Sequence, residues 1–126
     1  MNRLLVIEDH LIFSSYITRL IAGLYPHARV FQARNGREGI NIALAEKPDV
    51  ILLDMHMPVM DGIETARALR AMPETSQIPL IAMTLLINEQ SQTLINFKRF
   101  CNAVVYKPFQ ATHLKAAMQQ IGVLQP

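Results

Sequence analysis

Tryptophan is absent from the chain and cysteine occurs once, as Cys101. A single thiol excludes an internal disulfide framework and suits a reducing compartment. Cys101 reads as a small buried or half-buried apolar residue, not a reactive nucleophile. Long apolar runs are also missing, and none approaches the ~20 residues that cross a bilayer. Arg3 is followed only by Leu4–Ile7 before two acids, too short for the core of a secretory signal. These absences fit a cytoplasmic protein without a membrane partner. Nor is there an excess of one charge: 12 basic and 10 acidic residues leave a net charge of +2. The one basic cluster, Lys98-Arg99, is too short for phosphate recognition, which uses several clustered cations, and reads as a solvated helix face. No segment is left over for a helix-turn-helix, so direct nucleic-acid binding is not expected. Repeats, low-complexity tracts and linkers are lacking too. What is present is apolar: 51% hydrophobic residues and a mean hydropathy of +0.20 exclude a disordered chain. At 126 residues the expectation is one domain, 1–126, with one core.

Apolar runs alternate with helical patterns. Strands are predicted at Leu4–Ile7, Ala28–Ala33, Val50–Leu53, Leu80–Met83 and Ala103–Tyr106. Phe13, Tyr16, Ile17, Leu20, Ile21 and Leu24 recur at helical spacing, and Pro26 stops that helix. Asn35 with Glu38, and Asp61 with Glu64, read as N-caps answered by a glutamate three residues on, opening a second and a third helix. Leu94 and Ile95 carry a fourth helix; Leu114, Ala117, Met118 and Ile121 carry a fifth. Five strands alternating with five helices predict an α/β fold, a parallel sheet with helices on both faces.

In such a fold the functional site lies beyond the carboxyl ends of the strands, at a topological switch point. Glu8-Asp9 follow the first strand, Asp54 follows the third, and Thr84 and Lys107 follow the fourth and fifth. Carboxylates gathered there repel: at ~4 Å and an effective dielectric of ~20, each pair costs roughly 4 kcal/mol. Such a cluster persists by protonating one member or by holding a cation. Oxygen ligands without a local Cys or His set point to Mg²⁺, which favours phosphate oxygens as further ligands. For His56, the backbone carbonyl is a better ligand than the imidazole. A carboxylate can also be the nucleophile in phosphoryl transfer, with a metal, a lysine and a hydroxyl neutralising the transferred group.

Taken together, Glu8-Asp9, Asp54 with Met57-Pro58 and Asp61-Gly62, Thr84, and Lys107-Pro108-Phe109 resemble the receiver domains of two-component response regulators, chemotaxis receivers among them. The resemblance covers nearly the whole chain. It implies a flavodoxin-like sheet in the order 2-1-3-4-5 with five helices. It implies that Asp54 accepts a phosphoryl group from a phosphohistidine on a sensor histidine kinase or a histidine phosphotransfer protein. Asp9, Asp54 and the His56 backbone carbonyl would hold Mg²⁺, with Glu8 acting through water. Lys107 would pair with phosphoryl oxygens, and Thr84 would follow the phosphoryl group. Lys107-Pro108 would be a cis peptide, a form that X–Pro bonds take at small cost. Such a domain phosphorylates and dephosphorylates itself, without a separate turnover substrate, and switches binding to an output partner or a fused output domain.

Two positions depart from the family pattern. The aromatic switch partner usually found three residues before the lysine is Val104 here; Tyr106 lies directly before Lys107 and faces the same side of a strand. The position after Thr84, usually small, is Leu85, and Leu85-Leu86-Ile87 is apolar. It reads either as a strand running into a buried turn or as a hydrophobic partner surface shielding an aspartyl phosphate. Leu86 and His56 flank the family's hydrolytic water path, and an apolar Leu86 implies slow self-dephosphorylation. Two alternatives stay open: a degenerate receiver that binds partners independently of phosphorylation, and a hydrolase of the haloacid-dehalogenase kind. The hydrolase wants an acid two residues after the nucleophile, where this chain has His56. Met1, close to the first strand, favours an N-terminal or stand-alone placement. Gln125-Pro126 suits a stand-alone receiver or one cut away from an output domain or a hybrid kinase. No charge pattern marks the last helices and strand as a dimer surface.

Overall fold

A computed structural model describes residues 2–85 and 91–122. The readings made above at Met1, Leu86, Ile87, Gln125 and Pro126 lie outside the described residues. Along the chain run β1 (Arg3–Ile7), α1 (Leu11–Leu24), β2 (Arg29–Ala33), α2 (Gly36–Glu46), β3 (Val50–Asp54), α3 (Gly62–Ala71), β4 (Leu80–Leu85), α4 (Gln92–Arg99), β5 (Ala103–Lys107) and α5 (Ala111–Ile121). All strand pairs are parallel and the order is β2-β1-β3-β4-β5. Winding therefore reverses between β1 and β3, which places the switch point beside the ends of those two strands.

The sheet is covered on both faces, which is why its central strands read as unbroken apolar runs; β3 is buried at every position. The two-residue period of a strand sorts these runs into two cores. Leu4 and Val6, Leu52, Ile81 and Met83, and Val105 face α1 and α5, packing on Ile17, Ile21, Leu114 and Met118. Leu5 and Ile7, Ile51 and Leu53, and Leu80 and Ala82 face α2, α3 and α4, packing on Ala43, Leu69 and Phe97.

The helix starts follow local chemistry. Glu38 N–H donates to Asn35 Oδ1 at 2.9 Å. Asp61 and Glu64 exchange both bonds of a capping box, at 2.9 and 3.2 Å. For α1 the cap is His10, whose Nδ1 accepts from Phe13 N–H at 3.2 Å. At the end of the sheet opposite the switch point, the Arg70 guanidinium donates to the carbonyls of Ser76, Ile78 and Phe100 and to Asn102 Oδ1. One side chain thus ties together the loops that enter β4 and β5. Burial pushes the Cys101 thiol up to about 12, so it stays protonated and inert at neutral pH, as expected of a structural cysteine.

Helix α4 is anchored differently from the sequence reading. Leu94 is buried, but Ile95 is 38% exposed, and the second anchor is Phe97, which is fully buried. The i, i+3 spacing of 94 and 97 places both on one face, and residue 95 turns away from it. Phe97→Ala is expected to cost about 3–5 kcal/mol of stability, and Ile95→Ala about 0.5 kcal/mol or less. Urea denaturation of the two variants checks the assignment; equal losses would reverse it.

Candidate functional site

The same strand period builds the site. Glu8 continues the face of Leu4 and Val6, and Asp54 that of Val50 and Leu52. Leu85 continues the face of Ile81 and Met83, and Lys107 that of Ala103 and Val105. Four side chains at the carboxyl ends of four adjacent strands thus rise on the α1 side of the sheet. Lys107 stands on β5, two strands from Asp54, and its long stem carries the ammonium across β4. Lys107 Nζ lies 2.8 Å from Asp54 Oδ1 and 2.5 Å from Glu8 Oε1. The other Glu8 oxygen accepts from His10 N–H at 3.2 Å. Asp9 is exposed, yet carboxylate oxygens of Glu8, Asp9 and Asp54 all lie within 4.8 Å of one another.

The acids and Lys107 line a cleft of about 420 Å³, which His10, Phe13, His56, Leu85 and Pro108 complete. The His56 side chain is exposed. Leu85 is 48% exposed, so it forms a wall of the cleft and not a buried turn. The Lys107-Pro108 bond is cis, and Phe109 behind it is buried.

The Asp54 backbone is held from behind by Gly62. An added Cβ there would lie 2.7 Å from Met55 Cα, so only glycine lets the start of α3 press against the end of β3. In the intervening loop Val59 adopts φ 71°, a left-handed conformation that costs a β-branched residue about 1–3 kcal/mol.

Thr84 does not join the acids. It continues the face of Leu80 and Ala82, on the α4 side of the sheet, and is buried there. Its hydroxyl meets Met55 Sδ at 4.0 Å and the Leu85 carbonyl at 3.4 Å. The expected convergence of five polar residues on one point is therefore split by side-chain alternation. Tyr106, not Val104, is the register neighbour of Thr84; Val104 lies beside Ala82. Lys98 Nζ, from the last turn of α4, donates to the Tyr106 hydroxyl at 3.3 Å.

Burial raises the pKa of both Glu8 and Asp54, against the Lys107 hydrogen bonds that lower them. Burial works to lower that of Lys107, but its bonds to Asp54 and Glu8 prevail and raise it. The sequence reading missed Phe13 and His10. Phe13 reads from the sequence as one apolar position of the first helix, yet its ring lies under the Lys107 ammonium, 4.6 Å from centroid to Nζ.

A raised carboxylate favours the folded state below its unfolded pKa and withdraws that stability as pH rises through its folded value. For Glu8 and Asp54 the fall starts near their ordinary 4.5 and 3.8 and continues upward. Lys107 limits the loss, because its own charge persists beyond pH 10.5. Without divalent ions, Lys107→Met is therefore expected to cost about 3 kcal/mol at neutral pH, since it strands buried charge. The cost should shrink as pH falls into the acid range, where Glu8 and Asp54, raised above their ordinary values, take up protons. Urea titrations at neutral and acid pH decide this, and a pH-independent cost would refute it.

Comparison with known proteins places this geometry. The family described as the response regulator receiver domain matches residues 4–119. The protein PilH of Pseudomonas aeruginosa is 39% identical over 85 residues, which are 67% of this chain and 68% of PilH. The nitrate/nitrite response regulator NarL of Escherichia coli is 30% identical over 117 residues, 93% of this chain and 53% of NarL. The chain thus spans about half the length of NarL. Among solved structures, the receiver domain of the sensor histidine kinase PA1611 from P. aeruginosa, with a magnesium ion coordinated in its active-site cleft, aligns with TM-score 0.84 and 27% identity, covering 96% of this chain and 98% of that one. The chemotaxis protein CheY4 of Vibrio cholerae aligns with TM-score 0.85 and 25% identity, covering 98% and 99%. With its fold, its strand order and 116 of its residues matched, the chain belongs to the response regulator receiver domains of two-component signalling.

Proposed function

We propose that residues 1–126 form one receiver domain in which Asp54 accepts a phosphoryl group from a phosphohistidine, and that this switches partner binding. The observation that carries the reading is the Lys107–Asp54 ion pair of 2.8 Å within 4.8 Å of a second and a third carboxylate. A carboxylate oxygen of Asp54 attacks phosphorus. The O–P bond forms as the donor's P–N bond breaks, and the leaving imidazole nitrogen keeps the electron pair and takes up a proton. Lys107, already between Asp54 and Glu8, moves its ammonium onto the arriving phosphoryl oxygens.

The donor set fits Mg²⁺: the clustered carboxylates of Glu8, Asp9 and Asp54 offer oxygen ligands only, and Asp9, Asp54 and the His56 carbonyl would hold the ion, with Glu8 acting through water. When bound, the ion would neutralise charge on the phosphoryl oxygens. Burial, with a smaller contribution from the neighbouring carboxylates, raises both Glu8 and Asp54, and a bound cation would oppose that rise. Because Glu8 pairs directly with Lys107, its role includes holding that ammonium.

Receiver domains interact with histidine kinases or phosphotransfer proteins, and a donor of that class is the proposed partner here. For readout, Thr84 lies on the far side of the sheet and has Tyr106 beside it. A phosphoryl group that draws the Thr84 hydroxyl towards it opens room next to Tyr106, whose hydroxyl is tied to α4 through Lys98. Tyr106 then takes the place of the aromatic that Val104 does not supply.

With acetyl phosphate and Mg²⁺, intact-mass measurement should show one added phosphoryl group on the wild type and none on Asp54→Asn. No gain on the wild type would reject the reading and leave a phosphorylation-independent interaction module. Leu85→Ala opens the cleft wall, so phosphorylation by acetyl phosphate and hydrolysis of the aspartyl phosphate should both speed up. Time courses of the two reactions test this; unchanged rates would remove Leu85 as a shield.

A further inference from the structure

The Lys107 ammonium has three N–H donors. Two directions are taken by Glu8 and Asp54, at 2.5 and 2.8 Å. A third side is covered by the face of Phe13, with Nζ 4.6 Å from the ring centroid, well inside cation–π range. The ring is itself fixed on several sides. Phe13 N–H is bound to the His10 cap at 3.2 Å, which anchors its backbone in the first turn of α1. Phe109 packs on the ring edge-to-face, at 5.5 Å and 83°, and Tyr16 stacks on it at 5.9 Å. The Tyr16 hydroxyl donates to the Phe109 carbonyl at 2.8 Å, tying α1 to the segment that follows Lys107.

Resting on the receiver reading above, we propose that Phe13 is a positioning residue for phosphoryl binding at Asp54, acting through Lys107. An ammonium on β5 reaches the acids only by crossing a strand, and water on its open side would compete for it. The ring occupies that side and is not displaced as a water is. A less hydrated ammonium also pairs more strongly with the larger negative charge of a phosphoryl group than with a lone carboxylate. The ring's contribution therefore grows as the phosphoryl group arrives, and it raises affinity for that group as well as fixing the geometry. Phe109 and Tyr16 hold the ring in place.

The test separates ring charge from ring shape. Mono-, di- and trifluorophenylalanine at position 13 progressively drain the negative ring face while keeping the side chain's packing. Affinity for beryllofluoride with Mg²⁺, which mimics a phosphoryl group on a carboxylate, should fall stepwise. The trifluoro ring should bind about threefold to thirtyfold more weakly. The same substitution at Phe31, on β2 and packed on the opposite face of the sheet, should leave affinity unchanged. Independently, NMR of the unliganded wild type should show Lys107 ε-methylene protons shifted upfield by the ring, and Phe13→Leu should abolish that shift. A flat fluorine series, an equal loss at Phe31, or an unshifted Lys107 would overturn the proposal while leaving the receiver reading intact. Absence of beryllofluoride binding to the wild type would overturn both.

Discussion

One ammonium stands between carboxylates that the sheet forces together. Glu8 and Asp54 are nearly inaccessible to solvent because they end buried strands, and Asp9 brings a third carboxylate within 4.8 Å. Burial and mutual repulsion both oppose ionisation there. Lys107, reaching across β4, supplies the compensating charge in the unliganded chain. Much of the surrounding architecture serves that arrangement. Gly62 supports the Asp54 backbone, His10 satisfies the second Glu8 oxygen, and the aromatic group of Phe13, Tyr16 and Phe109 braces the lysine. A site left one positive charge or more short also suits the divalent cation and phosphoryl group proposed for it.

The parallel sheet assigns the two proposed tasks of the domain to opposite faces. Residues of one parity carry the acids, Leu85 and Lys107 towards α1; those of the other parity carry Thr84 and Tyr106 towards α4. The proposed phosphoryl chemistry on the first face would reach the second through the β4 backbone, where Thr84 and Leu85 are consecutive, and through β5, where Tyr106 and Lys107 are. Placing the aromatic at 106 puts it directly beside Thr84, whereas at 104 it would sit beside Ala82, one pleat earlier. The proposed coupling would accordingly be shorter than the usual spacing implies, ending on Lys98 at the carboxyl end of α4, which donates to the Tyr106 hydroxyl.

Much of the fold was legible because it rests on local signals. Apolar runs bounded by turn residues marked each strand within two residues of its observed ends, and Asn35 and Asp61 marked helix starts through caps that need only the next turn. The α4 reading was partly wrong for the same reason: with eight residues and one strong apolar face, its phase is set by what it packs on, and Phe97 won over Ile95. The acids were legible because a carboxylate closing an apolar run is rare enough to notice. Phe13 was not, since an aromatic at helical spacing looks the same whether it faces a core or a cation.

By itself, then, the sequence determined the element order, the parallel sheet and the residues delivered to its carboxyl edge, because periodicity, caps and turns act over a few neighbours. Tertiary structure decided what those residues meet. Strand register set which side of the sheet each end residue rises on, so Lys107 found Asp54 and Glu8 while Thr84 turned to α4. Fully buried strands show no alternation of polarity from which that parity can be read, and a side chain that crosses a neighbouring strand leaves no trace in the order of the letters.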